Sequence, residues 1–286
     1  MTDMKYHCVC LAPAIDKTIE LKSAPTGIGE IYAGVPFCTT AGGKGLNVAR
    51  YLAVRGEAVY AYGFLGKWNE QIFVCEMEKY GIQDFFERVA GETRSNIMIT
   101  WPNGSFKVNA KAFPNLKPEQ TRLNTDWSQV AREDWVILSG SLPANASSEY
   151  YASLIRKVRP LGAKIALDAH GDALVKGVAA GPDLIKPNAD ECAALVGFVP
   201  RTEDDFKRVS RQLMSQVSEV VISDGPRGAW FNGRLYRAPA VNVVDTTGAG
   251  DILLAEYCLH HNPESAVRAG SEQCRYRGVQ VESQPI

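Results

Sequence analysis

The residues best suited to chemistry in this chain stand at Asp245-Thr246-Thr247-Gly248-Ala249-Gly250-Asp251, where a glycine turn runs straight into an acid. Upstream, residues 240–244 read as an apolar strand, and downstream 252–260 read as a helix, so the glycines are expected at a strand-to-helix junction. Unpaired amide N–H groups and the positive end of a helix dipole would there face an anion. A carboxylate beside such a site can take a proton from an attacking hydroxyl while the amides stabilise charge on a transferring phosphoryl group. Asp251 is the candidate base. An ordinary glycine turn whose acid caps a helix is the plainer account of the same residues.

A second glycine cluster, Ala41-Gly42-Gly43-Lys44-Gly45-Leu46-Asn47, precedes an amphipathic helix. Its glycines admit a ligand close to the backbone, Lys44 supplies a point charge, and Asn47 can donate to and accept from hydroxyls. It lacks the Walker A spacing. Lys186-Pro187-Asn188-Ala189-Asp190-Glu191 follows a short strand. Asn188 and Glu191 explain a helix start, and they also suit the water shell of Mg²⁺, which needs few protein ligands. Ser223-Asp224-Gly225-Pro226-Arg227-Gly228 makes a turn whose glycines would admit a nucleotide. Arg94 is either solvated surface or, with Lys44, a second cation for a phosphorylated substrate. Asp16, just past the first strand, could hold a sugar hydroxyl. The four histidines form no pattern and none is assigned to catalysis.

These residues need a scaffold, and the 286-residue chain alternates strand-like runs (6–11, 58–64, 135–139, 164–168, 184–186, 219–223) with helical ones (46–55, 71–80, 148–158, 203–216). The alternation implies an α/β fold with a parallel sheet, whose ligands bind beyond the carboxyl ends of the strands, near Asp168, Lys186, Ser223 and Gly248. Residues 17–39 and 94–113 break the pattern and look like short strands forming one small sheet beside a single main domain, 1–286. A net charge of −1 gives no electrostatic reason to expect nucleic acid or an anionic membrane. Seven scattered cysteines without metal-ligand spacing read as reduced thiols. With no secretory or membrane-spanning run, the expected location is the cytoplasm.

Taken together, the chain resembles the ribokinase-like sugar kinases of the PfkB group. The glycine clusters at 42–49 and 245–251 stand in the group's order, and the likeness continues through Gly63-Phe64-Leu65-Gly66, Thr93-Arg94-Ser95-Asn96, Ser139-Gly140-Ser141-Leu142-Pro143, Lys186 to Glu191 and Ser223 to Gly228. Within the group it is most similar to the 1-phosphofructokinase and tagatose-6-phosphate kinase branch. The resemblance implies a three-layer α/β/α sandwich with a mostly parallel sheet and a small β lid, often used for dimer contact. It implies transfer of the ATP γ-phosphate, with Mg²⁺, to a sugar phosphate: fructose 1-phosphate first, with tagatose 6-phosphate, fructose 6-phosphate, an unphosphorylated sugar or nucleoside, or a degenerate sugar-phosphate-binding protein as alternatives. By matching position, Asp251 would be the base and the amides of Gly248, Ala249 and Gly250 the anion hole. Asp16, Gly43, Lys44, Asn47, Arg94 and Ser139 would surround the sugar phosphate. Lys186, Asn188, Glu191, Ser223, Gly225 and Gly228 would belong to the nucleotide and Mg²⁺ side.

The chain departs from the group's pattern in four places. Ala12-Pro13 replaces Asn-Pro, Asp168-Ala169-His170-Gly171 replaces Asp-Ser/Thr-Ser-Gly, and Ile252, Leu253, Leu254 and Glu256 stand where small residues are favoured. The stretch 271–286 is polar where the group usually continues in helix.

Overall fold

The computed structural model describes residues 4–27, 29–113, 117, 119 and 122–279. Strand β1 (Lys5–Cys10) leads through residues 11–13 into β2 (Ala14–Glu20) and β3 (Val35–Gly42). The chain returns through α1 (Lys44–Val54) to β4 (Ala58–Gly66), α2 (Gln71–Tyr80) and β5 (Gln83–Val89). Then come β6 (Ser95–Trp101), β7 (Gly104–Asn109), β8 (Trp135–Ser139), α3 (Tyr150–Val158), β9 (Lys164–Asp168) and α4 (Gly171–Ala179). The rest is β10 (Leu184–Ile185), α5 (Cys192–Val196), α6 (Glu203–Leu213), β11 (Glu219–Ser223), β12 (Gly228–Phe231), β13 (Arg234–Arg237), α7 (Ala249–His260) and α8 (Pro263–Gln273).

The main sheet has the order β13-β12-β11-β10-β9-β8-β1-β4-β5. It is parallel from β5 to β11 and closes with an antiparallel hairpin, β12–β13. Its central strands are apolar almost throughout because both faces are covered. One face packs on α3, α4 and α6, the other on α1, α2, α7 and α8, which gives the three-layer α/β/α sandwich the sequence led us to expect. After β1 the chain builds outward to β5, then comes back to lay β8 on the other flank of β1. The resulting switch point opens a crevice at the carboxyl ends of β1 and β8, where such folds bind ligands.

The second sheet, β3-β2-β6-β7, pairs β2 with β6 in parallel and is otherwise antiparallel. Only residues 11–13 separate it from β1, so it overhangs the crevice as a lid.

One expectation is corrected. Residues 240–244 form no strand, and Val243 and Val244 are 59% and 50% exposed. The amides of Val244 and Asp245 donate instead to the Cys274 carbonyl, at 2.8 and 3.2 Å. The glycine turn is therefore a loop-to-helix junction.

Candidate active site

Two helix N-termini meet above the crevice. Gly43 is the N-cap of α1, which begins at Lys44 and carries Asn47 and Arg50 one turn apart on the same face. Gly248 is the N-cap of α7, with φ of 80° and no side-chain cap, so a residue without Cβ is required and the first-turn amides face outward. Of the three expected donors there, Ala249 N–H is engaged with the Thr246 carbonyl at 3.3 Å. Asp251 lies in that first turn and is buried.

Four charged side chains from four separate elements converge at this point. Lys44 Nζ donates to Asp168 Oδ1 at 2.9 Å. Lys186 Nζ lies 3.2 Å from Asp168 Oδ2, an ion pair not aligned as a hydrogen bond. A Cβ built on Gly250 would sit 3.2 Å from the same Nζ, so the Lys186 ammonium rests against the α7 turn. Asn47 Nδ2 donates to Asp251 Oδ2 at 2.7 Å.

Electrostatics separate the two acids. Burial alone would raise Asp168, but Lys186 and Lys44 overcome it and hold the carboxyl below the usual carboxylate range. Burial pushes Asp251 from the usual 3.8 up to about 6; Lys44, Asn47 and Lys186 oppose the rise and the Asp168 charge adds to it. Burial disfavours the Lys44 ammonium, yet Asp168 and Asp251 hold its pKa above the ordinary value. The outcome is one fixed carboxylate between two cations and one carboxyl poised near neutrality, which is the pattern of an acid–base site.

A cavity of about 80 Å³ between the small sheet, α1 and the loop before α7 is lined by Asp16, Asn47, Arg50, Asn96, Lys107 and Thr247, among others. Asp16 accepts from Asn96 Nδ2 at 2.8 Å. Residues 277–279 close one wall: Gly278 N–H donates to Asp245 Oδ2 at 2.9 Å, and Val279 packs over Gly248. The cavity is smaller than the ~300–1,000 Å³ typical of small-molecule sites. Ser139 is fully buried at the end of β8, beside Asp168, and its hydroxyl has no protein partner. Arg94 sits at the root of the lid, donating to the carbonyls of Ala12 (3.0 Å), Pro13 (3.4 Å) and Ala110 (2.9 Å).

The loops that follow β10 and β11 are built differently. Asn188 N–H donates to Glu191 Oε2 and Glu191 N–H to Asn188 Oδ1, both at 2.8 Å, a reciprocal pair ahead of α5. A parallel bridge joins Asn188 to Ser223. Gly225 opens a 3₁₀ turn that ends at Gly228, where β12 begins. Among the described residues no cluster of three or more His, Cys, Asp or Glu could cage a metal. The amide and carboxylate oxygens of Asn188 and Glu191 fit an Mg²⁺ that keeps most of its water.

The structure thus brings Lys44, Asn47, Lys186 and Asp251 together, leaves Asn188, Glu191, Ser223, Gly225 and Gly228 along an adjoining rim, and sets Arg94 at the hinge. Two residues were absent from the expected set. Asp168 was legible as an acid ending an apolar strand, and Arg50 as a cation on a helix whose neighbouring positions are apolar. The close packing of α7 on α8 comes from Gly270 rather than from residues after Asp251: a Cβ there would lie 2.8 Å from the Ala249 carbonyl. Ile252, Leu253 and Leu254 instead fill the core.

A parallel α/β sheet with a β lid, a buried acid at a helix N-terminus and two ammonium groups beside it define a phosphoryl-transfer enzyme of the ribokinase-like architecture. The chain belongs to the pfkB family of carbohydrate kinases, whose profile matches residues 12–272. It is 32% identical over 266 residues to 1-phosphofructokinase of Vibrio cholerae serotype O1, covering 90% of this chain and 83% of that one. It is 36% identical over 263 residues to 1-phosphofructokinase of Rhodobacter capsulatus (88% and 82% covered). Tagatose-6-phosphate kinase of Staphylococcus epidermidis is 32% identical over 227 residues (76% and 73%). In fold it matches phosphofructokinase-2 of Escherichia coli solved with potassium, with a TM-score of 0.85 at 23% identity, covering 98% of this chain and 94% of that one. It is a sugar-phosphate kinase.

Proposed function

We propose that the chain transfers the γ-phosphate of ATP, with Mg²⁺, to fructose 1-phosphate, giving the 1,6-bisphosphate. The observation that carries the chemistry is Asp251, a carboxyl buried at the mouth of the α7 turn beside two ammonium groups. The choice of acceptor rests on the 1-phosphofructokinase relatives.

The sugar hydroxyl hands its proton to Asp251, ionised above about pH 6, as its oxygen attacks the γ-phosphorus and the bond from that phosphorus to the bridging oxygen breaks, releasing ADP. Amides of the Gly248–Gly250 turn hold the transferring group, and the Lys186 ammonium stands against that turn to offset its charge. Asp168 keeps Lys44 and Lys186 in place. Asp16, Gly43, Asn47 and Ser139 surround the sugar. Lys44, and the N–H groups Arg94 does not spend on backbone carbonyls, address its phosphate, and Lys107 adds positive charge to the cavity wall. Ser223, Gly225 and Gly228 receive the nucleotide. Asn188 and Glu191 would hold the hydrated Mg²⁺, which when bound neutralises charge on the ATP phosphates.

The cations around the cavity favour a phosphorylated acceptor over a plain sugar or nucleoside. The tagatose-6-phosphate kinase likeness supports a second acceptor for the same chemistry. The outer face of the lid carries exposed Ile97, Phe106 and Val108, which suits pairing with a second copy. Seven free cysteines suit the cytoplasm, and no described helix is long and apolar enough to cross a membrane.

ADP release with MgATP across fructose 1-phosphate, tagatose 6-phosphate, fructose 6-phosphate and fructose tests the proposal. Highest kcat/KM on fructose 1-phosphate is expected; preference for another acceptor would overturn the substrate assignment, and full turnover by Asp251→Asn would overturn the base.

A further inference from the structure

The Asn47 amide is the only hydrogen-bond partner of the Asp251 carboxylate among the described side chains, and a buried chain of contacts holds it from behind. Arg50 Nη2 donates to Asn47 Oδ1 at 2.6 Å, and Arg50 Nη1 donates to Glu76 Oε1 of α2 at 2.7 Å. A guanidinium has donors and no acceptor, so the Asn47 atom facing it must be the carbonyl oxygen. The NH₂ is thereby turned toward Asp251, and the flip that is otherwise open to an asparagine side chain is closed.

Stability alone does not account for Arg50. It is 3% exposed, its Nε has no partner, and it lies on a helix whose other buried side chains are mostly apolar. A buried ion pair is commonly no better for stability than a well-packed apolar pair, and the orphaned N–H adds a cost. A charge kept there at a loss is expected where it sets the geometry of a functional neighbour.

We propose that Arg50, anchored by Glu76, is a positioning residue that orients the Asn47 amide so that it donates to Asp251 and steadies the ionised base. This rests on Asp251 being the base. The other groups facing Asp251 are Lys44 from α1, Asp168 from β9, Lys186 after β10, and the thiol of Cys10 on β1, which burial pushes up to about 11 and so keeps neutral. None of them touches Arg50 through a bond the structure shows, so their contribution stays in place when Arg50 is changed.

The test is the pH profile of kcat for wild type, Arg50→Met and Glu76→Gln. Loss of the oriented donor should move the acid limb upward by roughly one pH unit for Arg50→Met and less for Glu76→Gln. Turnover of Arg50→Met then falls about threefold at pH 6.5 and returns toward wild type at pH 8.5, given that shift. A uniform loss at all pH values, or no change in either variant, would refute the relay. Should Arg50→Met fail to fold, the limb of Glu76→Gln decides by the same criterion. Asp251→Asn run alongside separates the two readings: if it keeps full turnover, the base assignment fails and the relay with it, whereas its collapse with an unmoved limb in both relay variants sinks the relay alone.

Discussion

The two sides of the crevice are built on opposite plans. At the transfer centre, Lys44, Asn47, Asp168, Lys186 and Asp251 hold one another across the fold, with partners 124 and 204 residues apart in the chain, and most of them are buried. Along the rim the side-chain bonds are local: Asn188 and Glu191 satisfy each other three residues apart in a partly exposed turn, and the longer link is a backbone bridge from Asn188 to Ser223. The first plan fixes charges before any substrate arrives, which is where electrostatic catalysis gains most. The second offers backbone and a few oxygens to a ligand that brings its own charge and its own ion. Loss of a residue should therefore reduce kcat on one side and raise KM on the other.

The largest effect is expected at Asp251. Asp251→Asn should lower kcat by roughly 10² to 10⁴-fold. It should also stabilise the fold. Because burial raises this carboxyl from 3.8 to about 6, its protonated form is favoured by folding; that stability is complete below pH 3.8 and lost as pH rises through 6. Thermal melts should show the variant above wild type at pH 7.5 and the gap closing near pH 4. An equal gap at both would contradict the assignment. For wild type, kcat should rise with pH through about 6.

Next comes Lys186→Met. It removes the ammonium against the α7 turn and half of the pairing of Asp168, so a kcat loss of roughly 10²- to 10³-fold is expected. The folding stability should fall as well, though by less than the roughly 3–5 kcal/mol of a fully orphaned charge, since Lys44 stays. Unchanged kcat with a raised KM for ATP would move Lys186 to the nucleotide side and blur the contrast between the two regions.

Smaller effects belong to the rim. Gly228 has φ of 115°, and a Cβ there would lie 2.1 Å from the Tyr236 carbonyl oxygen. Gly228→Ala should therefore cost about 1–3 kcal/mol in a denaturation curve and raise KM for ATP, with kcat less affected. Glu191→Gln keeps its acceptor for Asn188 N–H while losing charge, and should weaken apparent Mg²⁺ affinity by roughly tenfold in a metal titration of activity. A kcat collapse in Glu191→Gln would mean that the rim is as prearranged as the centre.

The same contrast governs what could be read from sequence. The loops of the rim and the two glycine clusters announce themselves because their logic is local, carried by neighbours in the chain. The parallel core was legible too, since strands such as those ending at Ser139 and Asp168 are continuous apolar runs. Asp168 was placed at the ligand end of its strand but given no role, and Arg50 was not singled out, because what makes them functional is contact with Lys44, Lys186, Asn47 and Glu76, and only the folded sheet and helices supply those neighbours. The run at 240–244 misled for a related reason. Its apolar residues satisfy a strand pattern, but in the fold the amides at its end are drawn to the Cys274 carbonyl beyond α8, a partner the local sequence does not reveal.

Arg94 gives the lid a mechanical character. One guanidinium staples the carbonyls of Ala12 and Pro13, where the chain leaves β1 for the lid, to that of Ala110, where it leaves β7, and Arg94 itself immediately precedes β6. The connections of the four-stranded sheet to the main domain are thereby pinned together at one side chain, so whatever loosens one of them loosens the other.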